Sequence, residues 1–160
     1  MKKFVIQAVL LIAVLFLALF FYKNPQALSS IIPTKFQGVT VKINEVSIQA
    51  EVADSPEKRR QGLGGRKSLD QGSGMLFIMD EKKRHTFWMK NLKFSIDLIW
   101  IDEDKVVDII SDVPPPKEGE IDANLPTFSP SLPADKVLEV NGGFAKKYNI
   151  KIDDRVEIFK

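Results

Sequence analysis

Hydrophobic positions along the chain fall into two regimes. From Phe4 to Tyr22 the chain runs nineteen residues with Gln7 as its only clearly polar member, and no polar stripe marks one face as it does in an amphipathic helix. As a helix this run would extend about 28 Å, close to the roughly 30 Å hydrocarbon core of a bilayer. From Val39 the pattern switches to period two. Val39, Val41 and Ile43 alternate with Thr40 and Lys42, and Val46, Ile48 and Ala50 alternate with Ser47 and Gln49. Two half-buried strands joined by a tight turn at Asn44 and Glu45 are therefore predicted. Asp54, Ser55, Pro56 and Glu57 then supply an N-cap, a first-turn proline and an early acid for a short helix that Gly62 ends. Lys58, Arg59 and Arg60 fall in its second half, where cations suit the helix dipole.

Strand-like runs follow at 75–79, 86–89, 96–101 and 105–110, with Asp102, Glu103 and Asp104 in the turn between the last two. Most of this middle region reads as antiparallel sheet. From Pro114 to Pro133 the chain holds six of its nine prolines, which excludes regular structure over most of that span and suits a functional or mobile loop, such as a lid over a site. The chain ends as strand 137–140, a turn at Asn141 to Gly143, a short helix through Tyr148 and a closing strand at 155–159. The predicted class is mainly β (α+β): a small antiparallel barrel-like domain with short helices, preceded by one transmembrane helix. Residues 1–23 form the membrane anchor, 24–35 a spacer broken by Pro25 and Pro33, and 36–160 a single soluble β-rich domain of ordinary size.

Charge changes the picture once it is divided. The chain carries +2 overall, but Lys2, Lys3, Lys23 and Lys35 lie in the tail; removing those four from 23 basic residues leaves 19 against 21 acidic ones, a domain net of −2. A near-neutral domain argues against a nucleic-acid partner, which calls for a strongly basic surface. Lys2 and Lys3 before the apolar run outnumber Lys23 after it, which predicts a cytoplasmic N-terminus and an extracytoplasmic domain. A cleaved signal peptide, with Ala27 and Ser29 as small residues near the cut, is the rival; the run is longer than the usual signal core, which favours a retained anchor. Cysteine is absent, so neither a disulfide framework nor a thiolate metal site is available.

Three segments are more unusual than a core requires: RQGLGGRKSL at 60–69, GMLF at 74–77, and the stretch from HTFWMKN at 85–91 to IDLIWID at 96–102. Together with the ending PADKVLEV and IKIDDRVEIF they closely resemble the signature of the domain of unknown function 192 family, from Val46 to Phe159. The resemblance implies a compact β-rich fold and no particular activity. Gly64, where the pattern more often has methionine, and Ser95, where it tends to have proline, depart from it.

Among these residues the candidate ligand-binding set is Arg66, Trp88, Lys90, Asn91 and Asp97. Gly62, Gly64 and Gly65 allow positive φ or close backbone approach. Arg66 follows them, with a guanidinium suited to clamping a carboxylate or phosphate or, the leading reading, to pairing with an internal acid such as Asp97. Asp97 lies inside the apolar run 96–101, where an ionised carboxylate needs a partner: Arg66, Lys90 or backbone amides would make it structural, and a cleft would make it a general acid or base. Alternation puts Phe87 and Met89 on one face and Trp88 and Lys90 on the other, so Trp88 either covers an edge or, with Lys90 and Asn91, offers a platform for a sugar ring. Lys82 to His85 adds a second basic cluster, suited to a solvated turn or to anionic lipid or polymer. His85 is the only histidine, the acids at 102–108 do not follow a calcium-loop order, and the glycine segment lacks a P-loop ending, so no metal and no cofactor is expected. The leading functional expectation is a membrane-anchored binding or accessory module for an envelope polymer, a lipid head group or a protein partner. A cofactor-free glycan hydrolase using Asp97 with a second acid such as Asp112, and a structural subunit of a membrane complex, are the alternatives.

Overall fold

The alternation at the start of the domain forms the predicted hairpin: β1 (Val39–Ile43) pairs antiparallel with β2 (Val46–Ala53). Asn44 turns the chain at φ 54°, a left-handed conformation that asparagine tolerates. The computed structural model describes residues 2–24, 38–117, 119 and 121–160, so nearly all of the spacer expected at 24–35 lies outside the described residues. The chain divides into two units, Met1–Phe36 and Gln37–Lys160. In the first, α1 (Lys2–Lys23) is one helix with exposed apolar side chains on every face, Phe4 at 80% and Phe16 at 73%. It is long and apolar enough to cross a membrane.

In the second unit, α2 (Pro56–Gln61) is capped as its sequence predicts, Ser55 Oγ accepting the Lys58 N–H. β3 (Ser73–Lys83), β5 (Ile96–Asp102), β6 (Lys105–Val113), β8 (Ala134–Asn141) and β9 (Val156–Phe159) join the hairpin in one seven-stranded sheet, ordered β6-β5-β8-β3-β2-β1-β9. Every pairing is antiparallel except β2 with β3, which runs parallel. That exception to the antiparallel expectation has a cause in the sequence, because α2 and the glycine segment make the long crossover a parallel pair requires. The sheet curls. Its two edge strands meet at one end through a bridge between Lys105 and Arg155, with Val106 N–H donating to Asp154 O at 3.0 Å and Val156 N–H to Asp104 O at 2.7 Å. The result is a half-closed barrel.

Two cores follow from the curl. Inside it, Val41, Ile43, Ile48, Ile99, Val106 and Leu138 pack together, and Phe144 of α3 (Phe144–Lys147) plugs one side. On the outer face, Met75, Phe77, Leu98, Trp100 and Val137 pack under a layer of loops that contributes Leu63, Met89 and Leu92. The continuous apolar run of β5 thus serves both cores, alternate residues facing each.

Glu139 belongs to the outer face of β8, opposite Met75 on β3 and Leu98 on β5. It is only 5% exposed, and among the described residues its carboxyl makes no hydrogen bond or ion pair. Burial pushes its pKa up to about 8. The folded state therefore holds a proton that the unfolded chain releases near the usual carboxylate range, so stability should be greatest below that range and fall as pH rises toward 8, by about 1.4 kcal/mol per pH unit at most. Thermal unfolding between pH 5 and pH 9 should show this slope, and Glu139→Gln should flatten it; an equal slope in both proteins would reject the buried proton.

Candidate functional site

Two loops from the unusual sequence segments meet backbone to backbone. After α2 the chain turns through Gly62 at φ 50° and Gly65 at φ 82°, with Leu63 buried between them in the outer core. In the second loop Asn91 stands at φ 59°, and its carbonyl accepts the Gly65 N–H at 2.8 Å. A Cβ on Gly64 would lie 3.0 Å from the Gln61 carbonyl oxygen and 3.2 Å from that of Lys90. Glycine, at a position where the pattern more often carries methionine, lets this seam close by a few tenths of an ångström more than a side chain would permit.

The seam fixes where Trp88 points. β4 (Phe87–Trp88) forms a two-stranded ribbon with β7 (Thr127–Phe128) of the proline-rich segment. The Phe87 ring sits edge-on between Phe77 and Trp100, with centroids 5.1 Å and 5.2 Å away, and Met89 is buried. With both neighbours turned inward, Trp88 is left 45% exposed, on the face alternation predicted. Lys90 Nζ lies 5.2 Å from the centroid of its ring, a cation–π contact of about 0.5–1 kcal/mol at an exposed site. The same ammonium pairs with the carboxylate of Asp122, which begins a 3-10 turn (Asp122–Asn124) in the proline-rich segment. Trp88, Lys90, Asn91, the Gly64–Gly65 backbone and the prolines at 115 and 116 line an open cleft of about 1290 Å³. That is larger than the 300–1,000 Å³ of a drug-sized pocket, room for an extended ligand.

The other two candidates lie elsewhere. Arg66 makes a bidentate ion pair with Glu51 of β2 at 2.5 Å and 2.8 Å; its partner is this cross-sheet acid and not Asp97. The Arg66 hydrogen bonds hold the Glu51 carboxyl below its usual range. Both side chains are part-exposed, at 34% and 47%, in a separate shallow hollow that also touches Lys58 and Met75. Asp97 is fully buried and faces the inner core. Its Oδ1 accepts the N–H groups of Asp112 at 2.7 Å and Gly143 at 2.9 Å, and its Oδ2 accepts that of Ala145 at 2.8 Å. Of the readings open to it, backbone amides are the partners found, and the side chain is wholly buried among the described residues.

The sequence candidates cover only part of the cleft's charged lining, which also takes in Lys117. Asp122 sits in a stretch without periodicity, and only fold-level proximity joins it to Lys90, 32 residues away. Arg60 and Lys93 also line the cleft; Arg60 was assigned to the helix dipole, and Lys93 follows the FWMKN segment closely enough that the turn could have suggested it. The second basic cluster is engaged locally, Lys82 with Asp102, Lys83 with Glu81, and Arg84 Nε donating to the Pro130 carbonyl at 2.7 Å. Among the described residues there is no group of three or more potential metal ligands.

Residues 39–158 match the model of the DUF192 family, described as an uncharacterised ancient conserved region. The fold is similar to that of a "putative transcription regulator" from Sinorhizobium meliloti 1021, with a TM-score of 0.65 and 27% identity, covering 75% of this chain and 91% of that one. It is also similar to a protein of unknown function from Novosphingobium aromaticivorans DSM 12444, with a TM-score of 0.64 and 30% identity, covering 74% of this chain and 82% of that one. No curated protein matches the chain.

The two displaced candidates should behave differently on substitution. Asp97→Ala strands three backbone N–H groups, each costing about 1–3 kcal/mol when buried unpaired, so thermal unfolding should show a loss of several kcal/mol or failure to fold. Arg66→Ala breaks a part-exposed pair and should cost no more than about 1 kcal/mol. Equal losses in the two variants would contradict this division.

Proposed function

The chain belongs to the DUF192 family, a membership that carries a fold and no assigned chemistry, and on that premise we propose that it is a membrane-anchored, extracytoplasmic binding module whose ligand site is the cleft beside Trp88. The observation that carries this reading is the outward indole on the rim of a large open cleft, with an ammonium at 5.2 Å and Asn91 beside it. Phe87 and Met89, on either side, meet the demand of the core, so Trp88 is free of it. An aromatic face with a few convergent polar groups in a concavity is the usual composition of a site for a ring-bearing ligand.

The apolar helix supports the anchoring. Its 22 residues extend about 33 Å, and its exposed apolar surface on all sides suits lipid and not water. The lysine bias across it favours an exported domain. A domain net charge of −2 speaks against carrying the regulator description of the Sinorhizobium structure over to this chain, because nonspecific affinity for nucleic acid comes from a basic surface.

The two tryptophans make the site reading testable, since Trp100 is buried and Trp88 is on the cleft. Fractionated envelope glycans and lipids should change the fluorescence of the full chain in neutral-lipid nanodiscs, and Trp88→Phe should remove the change. An unaltered response in Trp88→Phe, or no response to any fraction, rejects the cleft as the ligand site. Protease added to intact cells should digest the domain; complete protection would reverse the orientation.

A further inference from the structure

We infer that the cleft takes an acidic sugar unit, its ring lying on Trp88 and its carboxylate occupying the place that Asp122 holds on Lys90. This names the ligand class of the proposed binding site and rests on that proposal.

The wall of the cleft built on the folded body is basic. Arg60, Lys90 and Lys93 line it with Glu57 as the one acid on that side, in a domain whose overall balance is acidic. Among the described residues neither Arg60 nor Lys93 makes an ion pair; Glu57 offsets part of the Arg60 charge, and Lys93 keeps its own for what enters. The segment facing them brings Lys117 and Asp122 to the cleft, and Asp122 is the acid that pairs with Lys90. Asp122 is thus an intramolecular carboxylate already seated on the cationic wall, and it marks where an external carboxylate would sit.

Displacing it costs little. The Lys90 and Asp122 side chains are 37% and 57% exposed, and ion pairs at such exposure are weak because water and salt screen them. The 3-10 turn that carries Asp122 has no side-chain cap. The far end of the same segment is fastened instead: Ser131 N–H and Oγ donate to Asp108 Oδ2 at 2.7 Å and 2.8 Å, Arg84 Nε donates to Pro130 O, and β7 pairs with β4. The contact that seats Asp122 itself on the basic wall is an exposed side-chain pair.

Geometry selects a ring acid over a chain acid. With Lys90 Nζ 5.2 Å from the Trp88 centroid, a carboxylate bonded to the ammonium brings only those atoms joined closely to it into contact with the indole. In a uronic acid the carboxyl is bonded directly to the pyranose ring, so the apolar face of that ring reaches Trp88. A glutamate side chain offers two methylenes, and inorganic phosphate offers no apolar face. The size of the cleft suits more than one such ring.

The test uses the full chain in neutral-lipid nanodiscs, with trigalacturonate, maltotriose and triglutamate as probes, read by Trp88 fluorescence and calorimetry. Trigalacturonate should bind, with affinity falling as salt rises; maltotriose and triglutamate should bind at least tenfold more weakly. Asp122→Asn should bind trigalacturonate threefold to tenfold more tightly, because the competing carboxylate is gone, and Lys90→Met should lose tenfold or more. Weaker or unchanged binding in Asp122→Asn overturns the inference, as does no binding of trigalacturonate at millimolar concentration to either protein. Equal binding of maltotriose removes the anionic requirement while leaving the Trp88 platform in place, and equal binding of triglutamate assigns an acidic peptide instead. The binding-site proposal itself falls on a different result: a response to envelope fractions that survives in Trp88→Phe, or no response to any fraction.

Discussion

Strand β5 is buried on both faces, and the arrangement of the rest of the domain follows from having to cover it twice. Its inner residues Ile99 and Ile101 are covered by the curl of the sheet and by Phe144, while its outer residues Ile96, Leu98 and Trp100 have loops and the short β4–β7 ribbon above them. Burying a large apolar side chain contributes roughly 1.5–3 kcal/mol, so a loop layer bearing Leu63, Phe87, Met89 and Leu92 is a condition of the fold. Those residues point down, and the residues between them must point up. Trp88, Lys90 and Gly64 occupy the upward positions. The cleft is the outer surface of the layer that seals β5, which explains why its walls are loops and yet its geometry is set by the core.

Covering both faces also traps polar groups, and the two buried acids meet that condition in opposite ways. Asp97 stays an acceptor by drawing three backbone N–H groups to it, tying β5 to the end of β6 and to the start of α3. These bonds satisfy donors at the first turn of a four-residue helix, which has no side-chain cap of its own. Glu139 has no such donors and keeps its proton instead, burial holding its pKa well above the usual carboxylate range. One acid is structural through three backbone hydrogen bonds, the other through neutrality.

The sheet was legible because its signals are local. Alternation at 39–50, the N-cap at Ser55, and the strand runs ending in turns each depend on a few adjacent residues, and the structure has them at these places. The parallel pairing of β2 with β3 depends on the destination of a crossover, which a strand pattern does not contain. At the site, alternation correctly turned Trp88 and Lys90 away from Phe87 and Met89. It could not find the partners: Glu51 for Arg66 lies 15 residues away, and Asp122 for Lys90 lies across the proline-rich segment. Glu139 was missed for a related reason. Period two puts it on the face away from Leu138 and Val140, which reads as solvent until the loops that cover that face are known.

A domain of slightly negative charge carrying a local basic wall fits recognition better than attraction. At physiological ionic strength the screening length is about 8 Å, so Arg60, Lys90 and Lys93 act on what is already inside the cleft, and the near-neutral remainder draws nothing from a distance. Long-range capture would need a broad field of one sign, which this domain lacks. On the proposed reading the helix supplies what the field does not, by confining the domain to the bilayer surface, where effective concentration does the work of affinity. On that reading a module held in place can bind weakly and exchange, a regime that suits a ligand in competition with an internal carboxylate. The tether and the Lys90–Asp122 pair are then two halves of one design: proximity from the helix, selectivity from the competition.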